Sequence, residues 1–297
     1  MGMYYHGRGK RGPYFEGWYL KHQTREGAAL ALIPACHTDR AGRRSASLQI
    51  LADGQSWWLE YPGAAFHASE QVFYVQVGQS LFTSGETRLC VEREGLSLYG
   101  TVRYGPFTPL RSDIMGPFRF LPGMECAHGV LSMGHPLEGS VTLNGKTLAF
   151  SGGTGYIETD RGRSFPSRYL WTQCIWQESP LDSLMLSVAA IPLAGGQFTG
   201  CICAVLYGGR EYRLATYRGA RVERWSAGGA AIRQGKYRLS VELLEGQGQP
   251  LRAPVAGVMG RTVHESLRAA VRYRFWVGDT LLFDHTDRCA GFEYAGI

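Results

Sequence analysis

The stretch Val141-Thr142-Leu143-Asn144-Gly145-Lys146-Thr147-Leu148 predicts a β-hairpin. Two short runs that alternate apolar and polar side chains flank the Asn144-Gly145 pair. This pair is favoured in a type I′ turn, in which both central residues need a positive φ. The hairpin therefore predicts antiparallel β-structure in the middle of the chain.

Similar strand-like runs, separated by turn residues, extend in both directions from this hairpin. The chain has 40 glycines among 297 residues, and glycine-punctuated aromatic sequence is typical of strands and turns. We expect an all-β protein. The predicted strands are residues 15–23, 28–36, 47–51, 57–61, 71–77, 88–93, 96–104, 137–143, 147–151, 155–160, 169–177, 184–192, 198–207, 211–217, 222–225, 237–244, 272–277 and 280–284.

Two segments depart from this pattern. Residues 105–134 are rich in proline, glycine and methionine without a clear period, which predicts a long ordered loop that forms a lid or a pocket wall. A short helix is predicted near Arg261, because Val263, Leu267 and Val271 share a face at helical spacing.

Composition excludes several classes of protein. The net charge of +6 is scattered along the chain, so nucleic-acid binding is not expected. The 7 cysteines are odd in number and spread singly, apart from Cys201 and Cys203, which predicts reduced and mostly buried thiols. The longest apolar run begins at Leu184 and is broken by Ser187 and Pro192, so no transmembrane segment is expected. The basic first eleven residues contain no apolar stretch typical of a signal peptide, and we expect a cytoplasmic protein.

The chain lacks the common catalytic signatures: GxSxG, the phosphate-binding loop, HExxH and a glycine fingerprint after a strand. Its 8 histidines include no pair at the spacing that builds metal sites. The prediction is therefore a protein without a metal or another cofactor.

Polar chemistry concentrates in residues 155–166 and the aromatic strand that follows them. In an extended chain, Tyr156, Glu158 and Asp160 project from one face, which places two carboxyl groups side by side. Tyr169, Trp171 and Gln173 share a face of the next strand, so pairing the two strands would bring the acids near an aromatic wall. Alternatively, the acids form surface ion pairs with the nearby arginines 161, 163 and 168.

Two blocks of this sequence resemble the tocopherol cyclase family. Residues 11–21, RGPYFEGWYLK, are similar to the FFEGWYFK signature that opens tocopherol cyclase and its bacterial relatives. Residues 155–166 and the following YLWTQC resemble the second signature of the family, and the order and separation of the two blocks agree. Residues 115–129 and 290–294 are also similar to bacterial members. The chain departs from the second signature at Thr159 and Arg161, and an inward-pointing Arg161 would lower the pKa of the acids.

The resemblance implies two lipocalin-like antiparallel β-barrel domains, here predicted as residues 1–152 and 153–297. It also implies a kinship in fold with carotenoid 1,2-hydratases, whose reactions begin by protonating an isolated prenyl double bond. Such chemistry needs a protonated acid, a dry pocket and aromatic faces that stabilise a carbocation. A phenol oxygen that captures the cation closes a ring, and water that captures it gives an alcohol.

The predicted catalytic residues are Glu158, as the proton donor, and Asp160, as its electrostatic partner. Burial beside a second carboxylate would keep Glu158 protonated near neutral pH. The predicted substrate-binding residues are Tyr156, Trp171, Gln173, Tyr169, Glu16, Trp18 and His128. For Glu16 and Trp18 a second interpretation is that they close a barrel floor, and for His128 that it pairs with Glu125.

Two functional hypotheses of different classes follow. The first is an enzyme that cyclises or hydrates a prenylated quinol or an isoprenoid alkene. The second is a carrier of a hydrophobic small molecule, in which the two acids are structural. The expected ligand is a hydrophobic prenyl or isoprenoid small molecule, and for the carrier any hydrophobic small molecule; both hypotheses allow peripheral contact with a membrane.

Overall fold

The computed structural model describes residues 4–52, 54–121, 124–179, 181–193 and 196–296. Twelve of its strands form a first sheet: β1 (Tyr14–Gln23), β2 (Ala29–Thr38), β3 (Arg44–Ala52), β4 (Gln55–Pro62), β5 (Phe66–Ala68), β6 (Tyr74–Val77), β7 (Ser80–Thr83), β8 (Glu86–Arg93), β9 (Leu96–Tyr104), β10 (Cys126–Leu143), β11 (Lys146–Ala149) and β12 (Gly153–Gly162). Ten form a second: β13 (Tyr169–Ile175), β14 (Ser183–Leu193), β15 (Gly196–Tyr207), β16 (Arg210–Ala215), β17 (Arg221–Ser226), β18 (Gly229–Gln234), β19 (Tyr237–Glu245), β20 (Gln249–Val255), β21 (Val258–Val277) and β22 (Thr280–Ala295). Short 3-10 helices span Gly63–Ala65, Gly116–Phe120 and Thr216–Arg218. No helix in these residues is long and apolar enough to cross a membrane.

The two sheets repeat one topology. The first has the order β4-β3-β2-β1-β12-β10-β9-β8-β7-β6-β5, and the second has the order β16-β15-β14-β13-β22-β21-β19-β18-β17. In each sheet the last strand of the chain segment, β12 or β22, pairs with the first, β1 or β13. The next three strands follow in order from that first strand to the edge of the sheet. In each, a 3-10 helix connects the two end strands, β4 to β5 and β16 to β17. This repeat is not visible in the sequence.

The prediction of an all-β chain is confirmed. The structure has two large antiparallel sheets and is consistent with a lipocalin-like fold. The predicted domain boundary between residues 152 and 153 falls inside the first sheet, because β12 pairs with β1 and β10. The chain passes from one sheet to the other between Gly162 and Tyr169.

The hairpin that starts the sequence argument is present as predicted. Asn144 and Gly145 have φ values of 47° and 81°, and Leu143 pairs with Lys146 across the turn. All seven cysteines are free thiols, and five of them are buried.

The helix predicted near Arg261 is wrong, because this segment lies in the long strand β21. A spacing of four residues is compatible with a strand as well as with a helix. Irregularities between Ser266 and Val271 shift the register of β21 against β22. As a result Val263 and Leu267 pack between the sheets, whereas Val271 packs in the core of the second sheet alone.

The segment 105–134 is a loop only in part. Its first half contains the 3-10 helix Gly116–Phe120, but β10 already begins at Cys126. The pairing of β10 with β12 shifts between Val130 and Ser132 and again between Ser132 and His135. These irregularities interrupt the period of two by which a strand is recognised in a sequence.

The buried apolar residues form three cores. One contains residues of the first sheet only, including Trp18 and Leu20, and another contains residues of the second sheet only, including Leu170. Each sheet therefore wraps around a core of its own. The third core, which includes Tyr19 and Trp171, takes residues from both sheets and from the connection 105–121. The two units pack against each other through this third core.

Candidate active site

A cavity lies in the third core, between the two sheets. Its apolar wall includes Phe15 and Ile33 of the first sheet, Ile202 of the second, and Met115 and Phe118 of the connection between β9 and β10. Its free volume is about 180 Å³. By the same measure one water molecule needs about 10–15 Å³, so the cavity has room for an organic ligand.

The cavity lies between the two sheets and not inside either of them. Residues that alternate along one strand face opposite sides of the sheet. In β1, Trp18 and Leu20 fill the core of the first sheet, whereas Phe15 and Tyr19 face the cavity. The interior of the first sheet holds the large apolar side chains of Trp18 and Leu20, whereas Glu158 lies on the outward face of β12, where the two units meet.

Glu158 lies in β12 at the centre of the cavity wall. It is 5% exposed, and its Oε2 accepts hydrogen bonds from the Tyr156 hydroxyl at 2.6 Å and from the Trp171 indole N–H at 3.1 Å. Its Oε1 accepts no hydrogen bond from the described residues. Burial raises the pKa of Glu158 to about 7, although the nearby His128 acts in the opposite direction. Glu158 therefore keeps a proton over part of the neutral range.

Asp160 and His128 form a pair next to Glu158. They are register partners in β12 and β10, and His128 Nδ1 lies 3.0 Å from Asp160 Oδ1. The other ring nitrogen, Nε2, lies 3.4 Å from Glu158 Oε2 and has no hydrogen-bond partner among the described residues. Burial alone would lower the pKa of His128, but the carboxylates of Asp160 and Glu158 outweigh it and raise this pKa to about 9. His128 is therefore an imidazolium that faces both acids. The alternative interpretation, a pair between His128 and Glu125, is not seen among the described residues.

The aromatic wall is built from both sheets. Trp171 of β13 and Tyr19 of β1 meet edge to face, with ring centroids 5.2 Å apart. Tyr169 also lines the cavity, and its hydroxyl donates a hydrogen bond to Glu293. Tyr156 is fully buried behind Glu158 and orients this acid.

Two glutamates of the second sheet, Glu265 and Glu293, also line the cavity. They are buried register partners in β21 and β22. Burial raises the pKa of Glu265 to about 8 and the pKa of Glu293 to about 7. Neither glutamate is among the site residues predicted from the sequence, and Glu265 lies in the segment predicted as a helix. The signal that could have found Glu293 is a single charge in the apolar run 289–295.

Four of the predicted substrate-binding residues do not line the cavity: Tyr156, which lies behind Glu158, and Glu16, Trp18 and Gln173. Glu16 is buried on the opposite face of β1, where it accepts hydrogen bonds from Tyr14 and from the backbone N–H of His6. Trp18 stacks in the core of the first sheet, which agrees with the structural interpretation. Gln173 lies beyond Trp171 on β13, buried at 1% exposure and opposite Gly291.

Arg161 is on the face of β12 that points away from the cavity. It is the register partner of Glu16, whereas Asp160 is the partner of Gly17. The departure from the family signature at this position therefore does not put a cation into the cavity.

In the part of the chain that the structure describes, one group of side chains could hold a metal ion. Ligand atoms of His128, Glu158 and Asp160 lie within 4.8 Å of one another, and an imidazole with two carboxylates suits a divalent cation. No such group is evident in the sequence, because its ligands come from two strands, β10 and β12. In the present geometry Glu158 Oε2 and His128 Nδ1 are already engaged in hydrogen bonds.

Residues 97–296 match the family model described as tocopherol cyclase-like. The chain belongs to the tocopherol cyclase-like family. The matched region contains Glu158, Asp160, His128 and both glutamates of the second sheet. The first signature, at residues 11–21, lies outside it.

Solved structures show the same fold at low sequence identity. A putative AttH from Nitrosomonas europaea aligns with a TM-score of 0.57 and 13% identity, over 95% of this chain and 93% of the other. Kievitone hydratase from Nectria haematococca aligns with a TM-score of 0.53 and 12% identity, over 96% of this chain and 89% of the other. A comparison with curated protein sequences found no match.

Proposed function

We propose that this chain catalyses the acid-initiated cyclisation or hydration of a prenylated quinol or another isoprenoid alkene in the cavity between its sheets. The observation that carries the proposal is the hydrogen bonding of Glu158. Both donors, Tyr156 and Trp171, bind Oε2. A carboxylic acid whose one oxygen accepts two hydrogen bonds carries its proton on the other oxygen, so Oε1 is the donor atom.

The first step is proton transfer from Glu158 Oε1 to the less substituted carbon of the double bond. A pKa of about 7 suits an acid that must hold its proton and then release it near neutral pH. The product of this step is a tertiary carbocation. The faces of Trp171, Tyr19 and Tyr169 lie around the cavity and would stabilise that charge.

The second step is capture of the cation by an oxygen nucleophile. A hydroxyl on the aromatic ring of the substrate would close a new ring, whereas a water molecule would give a tertiary alcohol. Membership of the tocopherol cyclase-like family supports ring closure. The apolar wall formed by Phe15, Met115 and Phe118 would exclude bulk water from the cation.

Asp160 acts through His128. Its side chain lies 3.0 Å from His128 Nδ1 and, together with Glu158, raises the pKa of that imidazole to about 9. Burial raises the pKa of Glu158 to about 7, so Glu158 is the acid that can hold a proton and release it near neutral pH. The proposal of a reaction without a cofactor, and of a prenyl or isoprenoid ligand, rests on this arrangement of Glu158, Asp160 and His128 in the cavity. The peripheral membrane contact stays a prediction; Phe120 and Leu121, exposed beside the cavity residue Phe118, are where it would form.

The replacement Glu158→Gln tests the proposal, because it preserves the shape of the side chain and removes the transferable proton. With a short-chain prenylated hydroquinone as substrate, we expect turnover to fall by at least about 10²-fold, while binding, followed by tryptophan fluorescence, changes little. Asp160→Asn should be milder. The control is Glu138→Gln, an exposed glutamate of β10. A chelator is added in parallel, and loss of wild-type activity with it would assign the reaction to a metal at His128, Glu158 and Asp160.

Equal turnover by Glu158→Gln and wild type would reject Glu158 as the acid. If Asp160→Asn were inactive and Glu158→Gln active, the roles of the two acids would be exchanged. The protein would be a carrier if the wild type copurified with a prenyl lipid, bound it as tightly as Glu158→Gln does, and did not convert it.

A further inference from the structure

The second sheet presents two neighbouring carboxyl groups to the cavity, and the mechanism so far uses neither. Glu265 and Glu293 are direct partners in the ladder of β21 and β22, so their Cβ atoms lie roughly 5 Å apart. Both are buried, at 1% and 8% exposure. Two carboxylates this close in a buried site do not both ionise, so the pair retains one proton and offers one carboxylate.

Each member of the pair is oriented by a tyrosine. The Tyr19 hydroxyl, which comes from the first sheet, donates to Glu265 Oε1 at 2.5 Å, and the Tyr169 hydroxyl donates to Glu293 Oε1. The Oε2 atom of each glutamate accepts no hydrogen bond from the described residues. One carboxylate oxygen in each group is thus left for a ligand.

The repeated topology relates Glu293 to Glu158. Glu158 lies in β12 and is the register partner of Tyr19 in β1; Glu293 lies in β22 and is the register partner of Trp171 in β13. These strands hold equivalent places in the two sheets. Because Trp171 also donates its hydrogen bond to Glu158, the same indole lies next to both carboxyl groups. The cavity therefore has a carboxyl group on each of its two walls, one from each sheet.

We infer that Glu293, which shares one proton with Glu265, is the base that removes the proton from the oxygen nucleophile once Glu158 has protonated the alkene. This inference rests on the proposed function. The O–H bond of Glu158 breaks as the π electrons form a C–H bond, and a lone pair of the nucleophile then forms the C–O bond. The O–H bond of the nucleophile breaks, and its proton passes to Glu293. Cyclisation is then an isomerisation of the substrate, whereas hydration adds one water molecule to it. The enzyme returns to its starting state when one proton passes through solvent from the Glu265–Glu293 pair to Glu158.

The titratable and charged groups around the pair come from β1, β12, β13 and β21. Apart from Glu265 itself, the groups that face Glu293 are Tyr169 of β13, Arg261 of β21, and Glu158 and Asp160 of β12. Apart from Glu293, the groups that face Glu265 are Tyr19 and Lys21 of β1. Because the pKa of Glu265 is the higher of the two, Glu265 keeps the shared proton and is uncharged while Glu293 supplies the carboxylate. A neutral amide at residue 265 preserves this uncharged neighbour, so the carboxylate of Glu293 should persist down to the same pH as in wild type.

The test separates protonation of the alkene from formation of the C–O bond. The prenylated hydroquinone is incubated in D₂O with wild type, Glu293→Gln and Glu158→Gln, and both the product and the recovered substrate are analysed by mass spectrometry. We expect Glu293→Gln to form product at least about 10²-fold more slowly, while the recovered alkene gains deuterium at no less than the wild-type rate. Glu158→Gln should show neither product nor exchange. The exposed Glu223→Gln of β17 serves as the control and should behave as wild type.

Product formation by Glu293→Gln at the wild-type rate overturns the inference, and so does the joint loss of product and exchange in a variant with a native circular dichroism spectrum. If wild type itself shows neither product nor exchange, the proposed function has failed instead. Glu265→Gln keeps an uncharged neighbour beside Glu293 and should leave the acid limb of the pH–rate profile in place. Should Glu293→Gln not fold, Tyr169→Phe keeps the carboxylate but removes its hydrogen bond, and the acid limb should move to higher pH; an unmoved limb contradicts the role of Glu293.

Discussion

At the scale of single residues, the geometry of the acid depends on a glycine. The indole of Trp171 lies against Gly291 of β22, and a Cβ at that position would be 2.8 Å from Cζ3 and 2.9 Å from Cη2 of the ring. A carbon atom cannot approach so closely. The absence of a side chain at residue 291 is therefore what allows Trp171 to reach Glu158.

The replacement Gly291→Ala should displace the indole and break its hydrogen bond to Glu158. We expect the free energy of unfolding to fall by about 1–3 kcal/mol, as in other overpacked cores, and turnover to fall with it. Urea unfolding and activity assays measure the two effects. Gly85→Ala is the control, because its Cβ would meet only Thr83 Oγ1 at 4.0 Å. Full activity in Gly291→Ala would show that the position of Trp171 does not matter.

At the scale of secondary-structure elements, the two faces of β1 have different roles: one packs in the core of the first sheet, and the other lines the cavity. Trp18 is 1% exposed in the core of the first sheet, whereas Phe15 lines the cavity. The two residues lie on opposite faces of one strand. A substitution on the core face should therefore change stability but hardly affect ligand binding, and a substitution on the cavity face should change ligand binding but hardly affect stability.

We expect Trp18→Ala to lower the free energy of unfolding by about 3–5 kcal/mol, because it removes a large buried side chain and leaves a cavity. In the fraction that stays folded, ligand affinity should be unchanged. Phe15→Ala is the matched variant on the other face, and it should weaken binding of the prenyl ligand. Denaturant titration and ligand titration of both variants check this division, which an unfolding midpoint insensitive to Trp18→Ala would contradict.

At the scale of the whole molecule, the buried acids make stability depend on pH. Folding raises the pKa of Glu158 and Glu293 to about 7, of Glu265 to about 8, and of His128 to about 9. The corresponding values in an unfolded chain are about 4.3 for a carboxyl group and about 6.5 for an imidazole. Between these limits the folded protein binds more protons than the unfolded chain. The stabilisation is complete below the unfolded values and is lost as the pH rises through the folded ones.

We therefore expect the urea midpoint of unfolding to fall as the pH is raised from 7 to 9. Glu265→Gln carries an uncharged side chain at every pH, so it should flatten this decline. The replacement of the exposed Glu138 by Gln should not. A midpoint that rises with pH over the same range would mean that these acids are already ionised in the folded protein.

The sequence by itself determined the β-structure and one wall of the site. The Asn144-Gly145 turn and the alternation of Tyr156, Glu158 and Asp160 depend on local backbone geometry, which neighbouring residues set. The resemblance of residues 155–174 to a family signature identified the same wall.

Only the tertiary structure decided where the cavity lies and what stands opposite Glu158. His128 comes from β10, and Glu265 and Glu293 come from strands more than a hundred residues along the chain; the register of the sheets brings them to the same cavity. Alternation predicts which residues share a face, but not whether that face points into a core or towards the other sheet. The docking of the two wrapped sheets settles that choice: Trp18 packs in the core of the first sheet, whereas Tyr19 and Glu158 lie on the outer face of that sheet, which meets the second sheet.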